Sequence, residues 1–291
     1  AAAVRLEAYA DRTSTVAGET LTFFANNGLT PGATSSATLT ISRVEYPSDR
    51  VVFSSPITVS GQVTPADASA AGCRWAPTTA VQVLSTWPTG LYTARIDDGI
   101  HHGVVPFVVR SASPGSGAAT LFQVPFTTAQ AYNNWGGTSL YESNSAGRVR
   151  GRKVSFDRPF ADEFNDFWQW VRPFVKFATR AGIALDYATS IDLHANPTLL
   201  DAYQLLVTVG HDEYWSRPMR GAVDRFVQGG GNAAILSGNT CWWQVRFEPG
   251  ATGGPNRTMV CYKNYAEDPT PDPSQKTINW YEFGPLYAYS V

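Results

Sequence analysis

The chain has 291 residues, 43% of them hydrophobic and 16% charged, with a formal net charge of −2. That length supports two ordinary cores, and the near-neutral balance excludes the basic footprint of a nucleic-acid-binding protein. No apolar run approaches the ~20 residues of a membrane-spanning helix, so no membrane partner is expected.

The opening stretch "AAAVRLEAYADRTSTVAGET" has no charged leader followed by an apolar run, so no signal peptide is visible. Its small residues suit a mature end left by cleavage, and the Lys-poor, Ala/Ser/Thr/Gly-rich composition suits export. A secreted or periplasmic protein is the expectation. Short alternating runs follow, among them "ATLTISRVEY", "RVVFSSPITV", "GLYTARI" and "GVVPFVVRS", separated by the turn residues AGE, NNG, PSD, PTG and DDG. Strands at this spacing predict an immunoglobulin-like β-sandwich over residues 1–112, closed by a hairpin, without the Cys…Trp…Cys pattern of antibody domains. His101 and His102 fall in that hairpin's turn and read as solvated.

"SASPGSGAA", residues 111–119, is linker-like and marks a boundary. Beyond it the period changes. "TLFQV" reads as a strand, and "EFNDFWQWVRPFVKFATRAG" as a helix with Gly182 as its C-terminal stop and Pro173 as a kink. "IALDYAT" is a strand, "NPTLLDAY" a short helix, "YQLLVTVG" a strand, "SRPMRGAVDRFVQ" a helix and "NAAILSG" a strand. This β-α-β order requires a parallel sheet with crossover helices, giving a second, α/β domain over residues 118–291. Residues 242–291, rich in Trp, Tyr, Pro and Asn, read as loops and short strands wrapped on that domain.

Cys241 and Cys261 are close enough in sequence to close a loop, or they are small buried thiols, as Cys73 would be; both readings stay open. Arg148, Arg150, Arg152 and Lys153 form a short basic cluster, read as a solvated loop or local ion-pair partners.

In an open parallel sheet, ligands bind outside the carboxyl ends of the strands. Three polar stretches fall there: "TTAQAYNNWGG", "GHDEYWS" and "SGNTCWW". Asp212 and Glu213 can bind a hard cation or move protons, and His211 can do either or orient a neighbour. The competing reading is a structural cap, with Ser216 starting the next helix and Trp215 packing beneath. Tyr132 is either a stacked core ring or a phenolate ligand for a hard, trivalent metal. Asn239 is either a turn residue or an oxyanion donor. His194 reads as a loop or cap histidine. No nucleophile elbow, Walker loop, G-x-G-x-x-G or H-E-x-x-H occurs, and "GGGN" precedes a strand, so it stops a helix.

The stretches "AYNNWGGTSLY", "VSFDRPF", "DLHANPTLLDAYQLLVTVGHDEYWS" and "GGGNAAILSGNTCWWQVRFE", in this order, resemble the C-terminal domain of the N,N-dimethylformamidase large (beta) subunit and its relatives. The resemblance covers roughly residues 87–263. It implies a flavodoxin-like, glutamine-amidotransferase-like α/β domain without that superfamily's catalytic cysteine. It also implies a mononuclear Fe(III), held by two tyrosine phenolates and a glutamate, that hydrolyses a small linear amide. Carried onto this chain, Glu213 is the carboxylate ligand and Tyr132 one phenolate. Tyr92 is the first choice for the second phenolate, which would place the site between the domains, and Tyr141 is the alternative. His211 and Asn239 would orient water or polarise the amide. The formamidase large subunit is longer and works with a small subunit. The expected partner here is a small-molecule amide, with a homo-oligomer allowed. The rival expectation is a secreted, non-catalytic module that keeps the fold and binds carbohydrate or protein through exposed tryptophans.

Overall fold

A computed structural model describes residues 6–161 and 167–283. The first part runs through β1 (Glu7–Ala10), β2 (Ser14–Thr15), β3 (Thr20–Asn26), β4 (Thr34–Arg43), β5 (Arg50–Ser60), the single turn α1 (Ala68–Ala71), β6 (Thr79–Gln82), β7 (Gly90–Asp97) and β8 (His102–Val109). These strands build two sheets, ordered β1-β3-β6 and β2-β8-β7-β4-β5. Alternate residues of both sheets, including Leu21 and Phe23, Leu39 and Ile41, Ala94 and Ile96, and Phe107 and Val109, point into one shared core. β5 closes its sheet as an edge strand and carries Pro56, a residue that edges tolerate because no inward ladder bond is lost. β7 and β8 pair antiparallel from Gly90↔Val109 to Asp97↔His102, the expected closing hairpin.

The second part comprises β9 (Thr120–Val124), α2 (Phe126–Tyr132), β10 (Lys153–Ser155), α3 (Arg172–Arg180), β11 (Asp186–Thr189), α4 (Ser190–Ala195), β12 (Leu205–His211), β13 (Tyr214–Ser216), α5 (Arg217–Gln228), β14 (Asn232–Gly238), β15 (Trp243–Glu248) and β16 (Thr258–Val260). β11-β9-β12-β14 form a parallel sheet. β10-β16-β15-β13 form a second, mixed sheet from the aromatic-rich tail and the segment just after β12. The coarse expectation of antiparallel strands first and parallel βα units later therefore holds.

Three local readings change. The helix expected from residue 163 is seen from Phe167 as one π-turn (Phe167–Val171) leading into α3, with Pro173 at the first turn rather than at a kink. Its beginning, including Phe164, lies outside the described residues. Gly182 takes φ +67 and Ile183 N donates to the Ala178 carbonyl at 2.9 Å, so the expected stop is formed. His194 belongs to the last turn of α4, not to a loop, and its Nδ1 lies 2.8 Å from Ser216 Oγ. All three cysteines are free and buried. In the basic cluster, Arg152 pairs with Glu267, Lys153 with Glu248, and Arg150 donates to the Tyr262 carbonyl.

The two parts are packed through the strands they share a border with. In β7, Tyr92, Ala94 and Ile96 face the sandwich core while Leu91 faces the other way. Leu91, with Val44 and Val108, joins Phe122, Val124, Leu185 and Met259 in a single apolar cluster. Arg257 locks the border. Its guanidinium donates to Asp157 Oδ1 and to the carbonyls of Ala10 and Phe156, each at 2.8–3.1 Å and buried. Removing one member of such a buried pair strands the other. Arg257→Ala should therefore lower the unfolding free energy by about 3 kcal/mol, read from urea denaturation at neutral pH.

Candidate tyrosine–carboxylate site

The order of the parallel sheet, second-first-third-fourth along the chain, puts its switch point between β9 and β12, which pair directly. That crevice is where such sheets bind ligands. From β9 the chain enters α2, whose last residue is Tyr132. From β12 it runs into Gly210–Glu213. Gly210 is required there: its φ is +87, and an added Cβ would lie 2.8 Å from the Cβ of Trp170.

Tyr132 and Glu213 meet across this crevice, with the Tyr132 hydroxyl donating to Glu213 Oε2 at 2.8 Å. The other carboxylate oxygen, Oε1, accepts from the Tyr141 hydroxyl, also at 2.8 Å. Tyr141 in turn accepts from the Tyr214 hydroxyl at 2.7 Å. The Tyr132 and Tyr141 rings stack with centroids 4.2 Å apart. The backbone of Glu213 is held from two sides: its N–H donates to Thr128 Oγ1 of α2 at 2.8 Å, and its carbonyl accepts from the Trp242 and Trp243 amides. Glu213 itself is 4% exposed.

Burial, and secondly the charge of Glu213, push the Tyr141 phenol far above its ordinary pKa. The same two causes raise Tyr214. Both phenols are thus protonated donors in this arrangement. Above them lies Lys263, whose Nζ is 3.7 Å from the Tyr141 ring centroid and 4.9 and 5.2 Å from those of Trp243 and Tyr214. Burial lowers its pKa to about 8.

His211 ends β12 in register with Gly238 of β14, and its ring lies so close that a Cβ on Gly238 would stand 3.0 Å from His211 Cδ2. A small cavity beside it is lined by Pro125, Thr128, Ala129, Phe167 and Val209. Asn239 follows Gly238 directly, exposed and at φ +51, a left-handed conformation that Asn adopts more readily than most residues. His211 and Asn239 thus stand at the carboxyl ends of the neighbouring strands β12 and β14.

Tyr92 is not part of this group. Its side chain faces the sandwich core, stacked on Trp87 and Phe107, and its hydroxyl donates to the Pro88 carbonyl at 2.7 Å. The reason is the strand's alternation, which turns Leu91 rather than Tyr92 toward the second part. Tyr141, the alternative to Tyr92, is the tyrosine whose hydroxyl reaches Glu213 alongside that of Tyr132. Sequence reasoning passed over Tyr214 and Lys263. The first hides in the apolar pattern of a three-residue strand, and the second lies 50 positions beyond Glu213 in a region without period. Among the described residues no group of three or more His, Cys, Asp and Glu side chains converges. The oxygens that do converge are the two of the Glu213 carboxylate and the phenolic ones of Tyr132 and Tyr141.

A mixed sheet protein with a buried tyrosine–carboxylate cluster at the parallel sheet's switch point is the class that fold and site define. Residues 38–286 match the family described as "N,N-dimethylformamidase beta subunit-like, C-terminal". The match spans most of the chain, and the protein belongs to that family. No curated protein matches significantly. Solved structures similar to parts of it include the alkylpurine DNA glycosylase AlkC of Pseudomonas fluorescens bound to DNA containing an abasic site analog, at 12% identity and TM-score 0.24, covering 37% of this chain and 30% of that one. A Paenibacillus cycloisomaltooligosaccharide glucanotransferase complexed with cycloisomaltoheptaose matches at 12% identity and TM-score 0.26, covering 73% and 27%. Cwp6 from Clostridium difficile matches at 11% identity and TM-score 0.21, covering 80% and 37%. The chain thus spans about a third of the length of these proteins, and likenesses this slight carry no argument about fold or function.

Behind Glu213, Asp212 is fully buried and accepts from Gln123 Nε2 at 2.9 Å. Burial raises its pKa to about 7. The folded state therefore holds this proton more tightly than the unfolded chain does. The resulting stability is complete below about pH 4 and is lost as pH rises toward 7, a loss on the order of 4 kcal/mol. Asp212→Asn keeps the shape and removes the titration. It should unfold at higher temperature than the natural protein at pH 8, with the difference vanishing below about pH 4, in a series of thermal melts.

Proposed function

We propose that the chain is a hydrolase of the carbon–nitrogen bond of a linear amide, working with one ferric iron held by Tyr132, Tyr141 and Glu213. The observation that supports this reading is the convergence of two phenol oxygens on the two oxygens of one buried carboxylate. The donor set fits the group. Hard, anionic oxygens suit a trivalent cation, and three such groups gathered out of water repel one another unless protons or a strongly charged cation lie between them. When bound, ferric iron supplies Lewis-acid activation of the amide carbonyl or of a water.

The chain's own residues do the rest. With iron bound, Tyr132 and Tyr141 would hold it as phenolates, the protons they now share with Glu213 being released to solvent. Lys263, held among the rings of Tyr141, Trp243 and Tyr214, would keep a positive charge beside the phenolate. His211, on the crevice rim, takes a proton from the attacking water at an imidazole nitrogen and returns it to the leaving amine. The Asn239 side-chain amide, one strand over, donates to the amide oxygen as charge builds on it. The substrate is a small molecule, the class the family match supports.

Titration of the purified chain with ferric iron should develop a visible phenolate-to-iron absorption band. Tyr132→Phe and Tyr141→Phe should each weaken it at least severalfold, and Tyr92→Phe should leave it unchanged. A chain that takes up no iron and stays colourless overturns the reading. Amine release from small formamides by the iron-loaded protein, lost in His211→Ala, tests the reaction itself.

A further inference from the structure

We infer that Arg158 is the positioning residue that brings Tyr132 and Tyr141 together. Arg158 is 1% exposed, and among the described residues no carboxylate pairs with it. Its guanidinium instead spends all five N–H groups on main-chain carbonyls. Nε donates to Ser155 at 3.1 Å. Nη1 donates to Trp135 at 2.6 Å and Thr138 at 3.0 Å, and Nη2 to Asn133 at 2.8 Å and Gln130 at 3.4 Å. An arginine has five such donors in a rigid plane, so this one is saturated.

Four of the five carbonyls lie between residues 130 and 138, the segment that carries the chain from one phenol to the other. α2 ends at Tyr132, so the carbonyl of Gln130 and those just after it have no further helical turn to bond. A side chain reaching in from "VSFDRPF" supplies what the helix lacks, and the loop is wound around one planar group. Asn133 ties the same segment from outside, donating to Gln130 Oε1 and the Pro159 carbonyl and accepting from the amides of Trp135 and Ala161. Leu140 N then returns to the Ala131 carbonyl at 2.9 Å, which sets Tyr141 beside Tyr132. A lysine has neither the plane nor the five donors, so the same charge would not hold the same loop.

The role in iron uptake rests on the function proposed above; the role in holding the loop does not. Two measurements on Arg158→Lys separate them, with Arg43→Lys as a control for losing an arginine that holds Glu45 and the Thr89 carbonyl away from this loop. In the metal-free protein, amide hydrogen exchange of residues 134–141 should accelerate at least tenfold in Arg158→Lys, with the parallel sheet unchanged and no such local effect in Arg43→Lys. Uniform acceleration, or none, overturns the inference. In ferric titrations against a competing chelator, Arg158→Lys should bind at least tenfold more weakly than the natural chain, and Arg43→Lys as the natural chain does. Equal affinity overturns the inference. A natural chain that binds no iron, with the loop exchange still accelerated in Arg158→Lys, discards the metal and keeps the positioning role. Should Arg158→Lys not fold, Asn133→Ala loosens the same segment by a gentler route. Unchanged exchange at 134–141 in that folded variant counts against the loop's being held this way.

Discussion

A carboxylate taken almost wholly out of water must find donors, and Glu213 finds two phenols. That pairing sets the demands on the surrounding structure. A lone buried carboxylate would cost several kcal/mol or take up a proton. Glu213 instead has one hydroxyl on each oxygen, and one of those hydroxyls is itself bonded by a third. The backbone of Glu213 is pinned by Thr128 and by the strand that begins at Trp243, so the carboxylate has little freedom to seek water. The rings of Tyr141 and Tyr214, with that of Trp243, also wall the Lys263 ammonium, which places a cation beside the same cluster. The polar group is thus satisfied in a way that keeps the carboxylate and the Tyr132 and Tyr141 hydroxyls facing one another.

The packing that makes this possible comes from strands used on both faces. β7 and β8 send alternate side chains into the sandwich core and, through Leu91 and Val108, into the cluster beneath the parallel sheet. A sandwich strand thereby becomes part of the floor on which β9 and its neighbours rest. At the other end, Arg257 ties the end of β1 to the small mixed sheet. That sheet brings in β13, with Tyr214, and the residues that hold Glu213 from above. The aromatic-rich tail is therefore part of the site's frame.

Much of this was legible in the sequence wherever a physical period or a cap is local. The alternation of "TLTFFAN" and "ATLTISR", the parallel strands "LLVTVG" and "NAAILSG", and the Ser216 start of α5 are each written within a few residues, and each forms as read. The position of Glu213 at a strand end was legible for the same reason. Other features were not. The π-turn ahead of α3 has the hydrophobic period of a helix and differs from one only in its hydrogen bonds. His194 sits in a six-residue helix too short to show a period of its own. Arg158 sits in "FDRPF" like any surface arginine, and nothing nearby says that its five partners are carbonyls up to 28 positions away.

Tyr92 and Tyr141 show the boundary most clearly. By itself the sequence determined where the strongly periodic strands and helices lie, that β9, β11, β12 and β14 run parallel, and that a polar stretch with Glu213 lies at a carboxyl end. It also supplied several tyrosines able to reach a carboxylate there. Only the tertiary structure decided which of them does. Side-chain direction in a strand reverses with every residue, so Tyr92 turns inward on Trp87 while its neighbour Leu91 turns out. Tyr141 lies in a loop with no period, and its direction follows from where a buried guanidinium gathers the carbonyls before it. Such contacts join residues far apart in the chain, and no local pattern records them.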